Sequence, residues 1–200
     1  MLRPVAAALA LVLISTPMAA LAAPSTNPAD MPAGTYVLDG THASLLAKVR
    51  HLGFSNYTVR FTVKDATYSW DPKSPQTAQV TALIDAKSFD TGYPGHDPKL
   101  ANEFIAADKF PEIKFVSTSI QQSQGGKGKM TGDLTLRGVT KPVTLDVTYN
   151  GYGEVMGSKR SGFSAATTIK RSDFGSDFLN KPGMIGDDID IVLELEFTKK

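Results

Sequence analysis

The chain has 200 residues, 21 basic against 20 acidic side chains, a formal net charge of +1 and no cysteine. Charges so balanced and so mixed exclude the basic face that a nucleic-acid surface needs. The lack of cysteine excludes disulfides, a thiolate nucleophile, a cysteine metal site and a lipidated terminal cysteine.

Residues 1–22 read as a cleavable signal peptide. Arg3 supplies a short positive region, and residues 5–14 form an apolar run too short to span a bilayer. Ala20-Leu21-Ala22 is a small-x-small cleavage pattern, which places the cut after Ala22. An exported chain without cysteine fits the bacterial periplasm or secretion. Residues 23–33, rich in Pro, Ser, Asn and Ala, read as a flexible mature N-terminus. Residues 34–200 are one domain's worth of chain, without a later apolar stretch of transmembrane length.

From Gly34 onward the apolar residues recur with a period of two, the mark of strands with one buried face. Tyr36 and Leu38 begin the first strand, and Leu45, Ala47 and Val49 share a face over residues 44–51. Residues 56–70 form a long strand with Val59, Phe61 and Val63 on one side, ending at Trp70 on the rim. Asp71-Pro72-Lys73-Ser74-Pro75 is a turn, and Val80, Ala82 and Ile84 mark the next strand. The alternation then breaks. Asp97 as N-cap and Pro98 in the first turn predict a short helix, with Leu100, Phe104 and Ile105 as its apolar stripe, ending before Pro111.

Strands resume at residues 113–120. Residues 121–129 form a Gly-rich loop without the Gly-Lys-Ser/Thr ending of a phosphate cradle. Residues 130–149 are a hairpin: Met130, Leu134 and Leu136 share one face, as do Val143, Leu145, Val147 and Tyr149, with Gly138 and Pro142 in the turn between. Residues 162–170 and 188–197 close the series; the last alternates Ile189, Ile191, Leu193, Leu195 and Phe197 with acidic residues. The pattern predicts an all-β chain of eight or nine strands in a closed antiparallel up-and-down sheet, with one short helix between strands. Strands this long predict an elongated barrel, whose interior suits a chain-like ligand.

The titrating side chains offer little chemistry. His42, His51 and His96 have no spacing that enforces a metal site, and no metal is expected. No Gly-x-Ser-x-Gly elbow and no paired-carboxylate motif occurs, so no catalytic set is expected. Arg171 and Asp173 read as an ion pair or turn lock, with a lipid head-group contact as the alternative for Arg171.

Several segments carry a family resemblance. The run Gly132 to Leu145, GDLTLRGVTKPVTL, resembles a signature of YceI-like proteins. Asp39, Thr41, His42 and Ser44 resemble the family's opening motif, and His51-Leu52-Gly53 its next segment. Phe61, Ile84-Asp85 with Ser88, Phe89 and Thr91, then Phe104, Phe110-Pro111, Ile113 and Phe115 follow in the family's order. Arg171-Ser172-Asp173-Phe174-Gly175 is similar to its last motif. One segment departs: His96 and Lys99 stand where many members carry Arg and His.

The resemblance implies an eight-stranded antiparallel lipocalin-like barrel that binds a polyisoprenoid, such as a prenyl quinone, or another long-chain amphiphile. It implies a periplasmic binding or carrier protein, with no cofactor beyond the bound lipid and no catalysis. The expected lumen residues are Leu45, Val49, Leu52, Phe54, Phe61, Ile84, Phe104, Phe115 and Leu134. The expected head-group contacts are His42, His51, His96 and Arg171. Transient contact with the inner membrane and a homodimer are further expectations. An enzyme acting on such a lipid, with His42 or His51 as base, is one alternative; a ligand-free stress-response or partner-binding module is the other.

Overall fold

A computed structural model describes residues 23–200; the signal peptide expected at residues 1–22 lies outside them. The strands are β1 (Gly34–His51), β2 (Ser55–Trp70), β3 (Gln79–Asp90), β4 (Glu112–Gln122), β5 (Lys127–Leu136), β6 (Val139–Val155), β7 (Ser158–Lys170) and β8 (Ile185–Lys199). Each pairs antiparallel with its neighbours in sequence, and β8 pairs back onto β1, which closes the barrel. Closure removes every sheet edge and gives the wall one wet and one dry face.

The period-two reading holds along most of the wall. Pairs such as Met130↔Leu145 and Ala165↔Leu193 set apolar residues opposite one another. In β2 a bulge intervenes: pairing with β3 shifts register between Val63 and Asp65, leaving Lys64 and Asp65 both exposed. Such an extra residue resets which face the side chains take. Ala66 and Tyr68 are thereby buried, where strict alternation from Val63 would have put Asp65 inside.

The β5–β6 turn is tighter than the sequence suggests. Leu136 pairs with Val139, so the turn is Arg137-Gly138, with left-handed φ of 54° and 76°. Pro142 does not lie in it. It sits within β6 opposite Asp133, and the β6–β7 ladder begins only at Asp146, so one flank of the strand has no bonds to lose at Pro142.

The two barrel ends differ. At one end α1 (Asp97–Ile105) packs on β3, and a single 3-10 turn (Arg171–Phe174) leads the β7–β8 loop. Asp97 is the first helical residue rather than the cap; its buried carboxylate accepts from the Thr91 hydroxyl at 2.5 Å. At the other end the chain before β1 crosses the barrel mouth. Ser25 exchanges backbone bonds with Tyr152 at 2.8 and 2.9 Å, and Asn27 caps a 3-10 turn at Pro28–Asp30. Composition marks this segment as flexible, yet Met31 is 1% exposed and its carbonyl accepts from Trp70 Nε1 at 3.1 Å.

Candidate functional site

Beneath that strap lies an apolar cavity of about 370 Å³. Its deep wall is Val80, Ile120, Met130, Val147, Ala165 and Leu195, each on the inward face of its strand. Tyr68, Trp70, Tyr149, Phe163 and Phe197 form its aromatic upper wall, and Met31 hangs over it from the strap. These rings pack on one another along the wall: Tyr68 meets Phe163 at 5.4 Å and Phe197 at 4.9 Å, both edge-on. The β2–β3 turn, with Pro72 and Pro75, the β4–β5 loop, with Gly125, and the start of β5, with Lys127 and Lys129, frame the mouth.

The cavity ends where side chains fill the barrel. The inward position after Met130 on β5 is Gly132, and the Phe115 ring lies over it: a Cβ there would fall 2.7 Å from Phe115 Cε2. Phe115, Leu134, Leu136, Leu145, Ile169 and Phe174 then make a buried cluster. Across the barrel Leu45, Val59, Phe61, Val63, Ile84 and Phe89 join a second cluster, against which Leu100, Phe104 and Ile105 of α1 pack.

None of the nine expected lumen residues lies on the cavity wall. Leu45, Phe61, Ile84, Phe115 and Leu134 face inward but belong to the filled part, and Val49 is half-buried. Phe104 meets Phe178 edge-on at 5.3 Å beside the cap. Leu52 and Phe54 are on the outside. They occupy the β1–β2 turn, where Leu52 and Gly53 adopt left-handed φ of 49° and 75°, and Phe54 is 88% exposed. Reading parity found the inward residues of β5, β6 and β8 but could not tell hollow from filled. Tyr68 was missed because of the β2 bulge; the Met31 anchor had no periodic pattern to reveal it.

The expected head-group residues do not converge on the cavity either. Arg171 is 3% exposed and locks the β7–β8 loop at the capped end. It donates to the carbonyls of Ser176 at 2.8 Å, Phe178 at 2.9 Å, Ile185 at 3.1 Å and Gly186 at 2.8 Å. Its guanidinium is thus spent on backbone, while Asp173 is exposed and not paired with it among the described residues. His96 is exposed at the head of α1, near Tyr93, and His51 packs by the Tyr57 ring at 5.6 Å.

His42 joins a different group, on the outer wall. Asp39, His42 and Glu196 bring ligand-type atoms within 4.8 Å of one another. Arg160 already stands among them, with Nη1 2.5 Å from Asp39 and 3.3 Å from Glu196. His42 Nδ1 is 2.9 Å from Asp39. Hydrogen bonds from Thr41, His42 and Arg160 hold the Asp39 carboxyl well below the usual carboxylate range. This network ties the bulged middle of β1 to β7 and β8, and the guanidinium supplies the positive charge that a metal ion would bring.

The titratable groups of the upper cavity wall are phenols. Burial is the main cause that pushes Tyr149 up to about 12, and it raises Tyr68 further. Both stay neutral at ordinary pH, suited to hydrogen bonding rather than to general-base work. Ser161 Oγ lies 2.6 Å from Tyr68 Oη.

Known proteins share this architecture. Curated relatives include UPF0312 proteins of Pseudomonas fluorescens, 36% identical, and Pseudomonas putida, 35% identical; each alignment covers 84% of this chain and 88% of the relative. A YceI protein of Campylobacter jejuni has a crystal structure matching at TM-score 0.65 and 32% identity, over 76% of this chain and 90% of that one. Burkholderia cenocepacia BcnA matches at TM-score 0.71 and 24% identity, over 80% and 98%. A polyisoprenoid binding domain from Saccharophagus degradans shares the fold at TM-score 0.58 and 14% identity, over 82% and 98%. The YceI-like domain family matches residues 36–197, nearly the whole barrel, and this chain belongs to that family.

Proposed function

We propose that the protein binds a long-chain amphiphilic lipid of the polyisoprenoid class in the barrel cavity and carries it through the periplasm without chemical turnover. The observation that carries this reading is the half-hollow interior, about 370 Å³ walled mostly by apolar side chains. On the scale by which an apolar cavity of about 150 Å³ takes one benzene, it accommodates about fifteen carbons, or three isoprene units. Each buried methylene gains about 0.8 kcal/mol, so a tail of that size outweighs any single polar contact, worth about 1 kcal/mol. The same arithmetic makes an exposed tail costly, so loading and release call for transient contact with the inner membrane. Family membership and the polyisoprenoid binding of a protein with the same fold support the ligand class. The leader-like residues 1–22 support the periplasmic address.

Native mass spectrometry of protein purified from its own envelope tests the proposal. The expected result is one lipid per barrel, released and identified by organic extraction. A consistently empty barrel that takes up no prenyl quinone or fatty amide overturns it. A wholly packed barrel serving as a partner-binding module would leave no such volume.

A further inference from the structure

The apolar wall provides affinity for a tail, and one atom of that wall has unmet chemistry of its own. Tyr149 lines the cavity, is 6% exposed, and its Oη has no hydrogen-bond partner among the described residues. Its neighbours are satisfied: Tyr36 donates to the Pro32 carbonyl at 2.8 Å, and Tyr68 is paired with Ser161 at 2.6 Å. A buried hydroxyl without a partner is costly, and an acceptor that arrives with a ligand recovers that cost on binding.

Position and charge define the acceptor. Tyr149 is the next inward residue after Val147 on β6, and its ring meets Phe163 at 5.5 Å, so it sits between the mouth and the deep wall. The cationic side chains on the lining are at the rim, Lys127 and Lys129, and Lys129 Nζ is held by Asp146 at 2.6 Å. The Asp30 carboxylate of the strap stands close enough to help raise the phenol, after burial itself. An anionic head would meet that carboxylate and lose the strong hydration of a charge; an uncharged oxygen escapes the repulsion and gives up far less hydration, which one hydrogen bond offsets.

We propose that Tyr149 is the hydrogen-bond donor for an uncharged carbonyl oxygen on the ligand, fixing the lipid tail-inward with its head under the Pro28–Asp30 strap. This rests on the lipid-binding reading above. It assigns the ligand a quinone, ketone, ester or amide carbonyl in place of a phosphate or diphosphate head.

The test uses Tyr149→Phe, which keeps the ring and its packing. A fifteen-carbon methyl ketone and the alkane of equal length compete against N-phenyl-1-naphthylamine bound to the mature protein. The wild type is expected to prefer the ketone by about five-fold, the value of roughly one neutral hydrogen bond. Y149F is expected to reverse the preference and favour the alkane, because the ketone carbonyl is then buried without a donor, and the infrared stretch of an isotope-labelled ketone carbonyl is expected to rise in the variant. A preference that survives in Y149F, or a carbonyl stretch that does not move, overturns the assignment while lipid binding stands. Failure of the wild type to bind either chain overturns both.

Discussion

The two halves of the barrel are built from the same strands with the same alternation, yet one is hollow and the other is filled. In the hollow half the inward positions of β5 and β7 carry Gly128, Met130 and Ala165, and the rings of Tyr68, Phe163 and Phe197 pack edge-on against one another around the cavity. In the filled half side chains close the interior. Phe115 lies over Gly132, Phe61 meets Phe89 edge-on at 5.5 Å, and α1 with the Arg171–Phe174 turn seals the end. A period-two pattern therefore makes a barrel, while the size of the side chains at each level makes a cavity.

The sharpest way to break the contrast is to empty the filled half. Phe115→Ala removes a six-carbon ring from the position that stops the cavity, at a cost of about 3–5 kcal/mol in denaturant unfolding. The variant is expected to take a chain about one isoprene unit longer than the wild type, read by mass spectrometry of bound lipids of graded length. Loss of stability with no change in preferred length would show that another residue sets the floor.

A smaller loss is expected from the seal. Arg171→Met keeps much of the side-chain bulk but leaves four carbonyls of the β7–β8 loop without their donor, a cost of roughly 2–4 kcal/mol. Hydrogen exchange is expected to rise around residues 176–186 while the amides of the cavity wall keep their protection. Equal loss of protection at the mouth would mean that the halves do not melt separately.

Acid probes the outer wall that both halves share. Because the folded-state pKa of Asp39 is depressed, its stabilisation is complete above the ordinary aspartate value of about 3.9 and is lost as pH falls toward the folded value. Wild type is thus expected to be more stable than Asp39→Asn at neutral pH, and the gap to narrow steadily below about pH 4. A gap that stays constant from neutral pH into strong acid would show that the Thr41, His42 and Arg160 contacts do not favour the ionised form.

Much of this fold was legible because a closed antiparallel sheet writes itself locally. Alternation located all the strands, and Pro98 with the Leu100, Phe104 and Ile105 stripe located the helix. Two kinds of feature were not written locally. The β2 bulge at Lys64-Asp65 moved Tyr68 onto the inner face with no composition signal. The division into hollow and filled halves depends on side chains from eight strands meeting at one level, which no single segment encodes. Most of the expected lumen residues therefore face the barrel interior, but on its filled side and away from the cavity lining.

The smallest expected effect checks that correction directly. Phe54 looks like a lumen residue in sequence, an aromatic beside an apolar strand, yet the left-handed Leu52-Gly53 turn carries it out to 88% exposure. An exposed side chain at a turn tip contributes little to folding, so Phe54→Ser is expected to shift stability by no more than about 0.5 kcal/mol. Lipid affinity is expected to stay unchanged, since the turn belongs to the capped end and the cavity opens at the other. A clear loss of affinity for free lipid in F54S would place ligand at the capped end and erase the distinction between the two halves. Loss of transfer from vesicles alone, with free-lipid affinity intact, would instead place Phe54 at a membrane contact and leave the distinction standing.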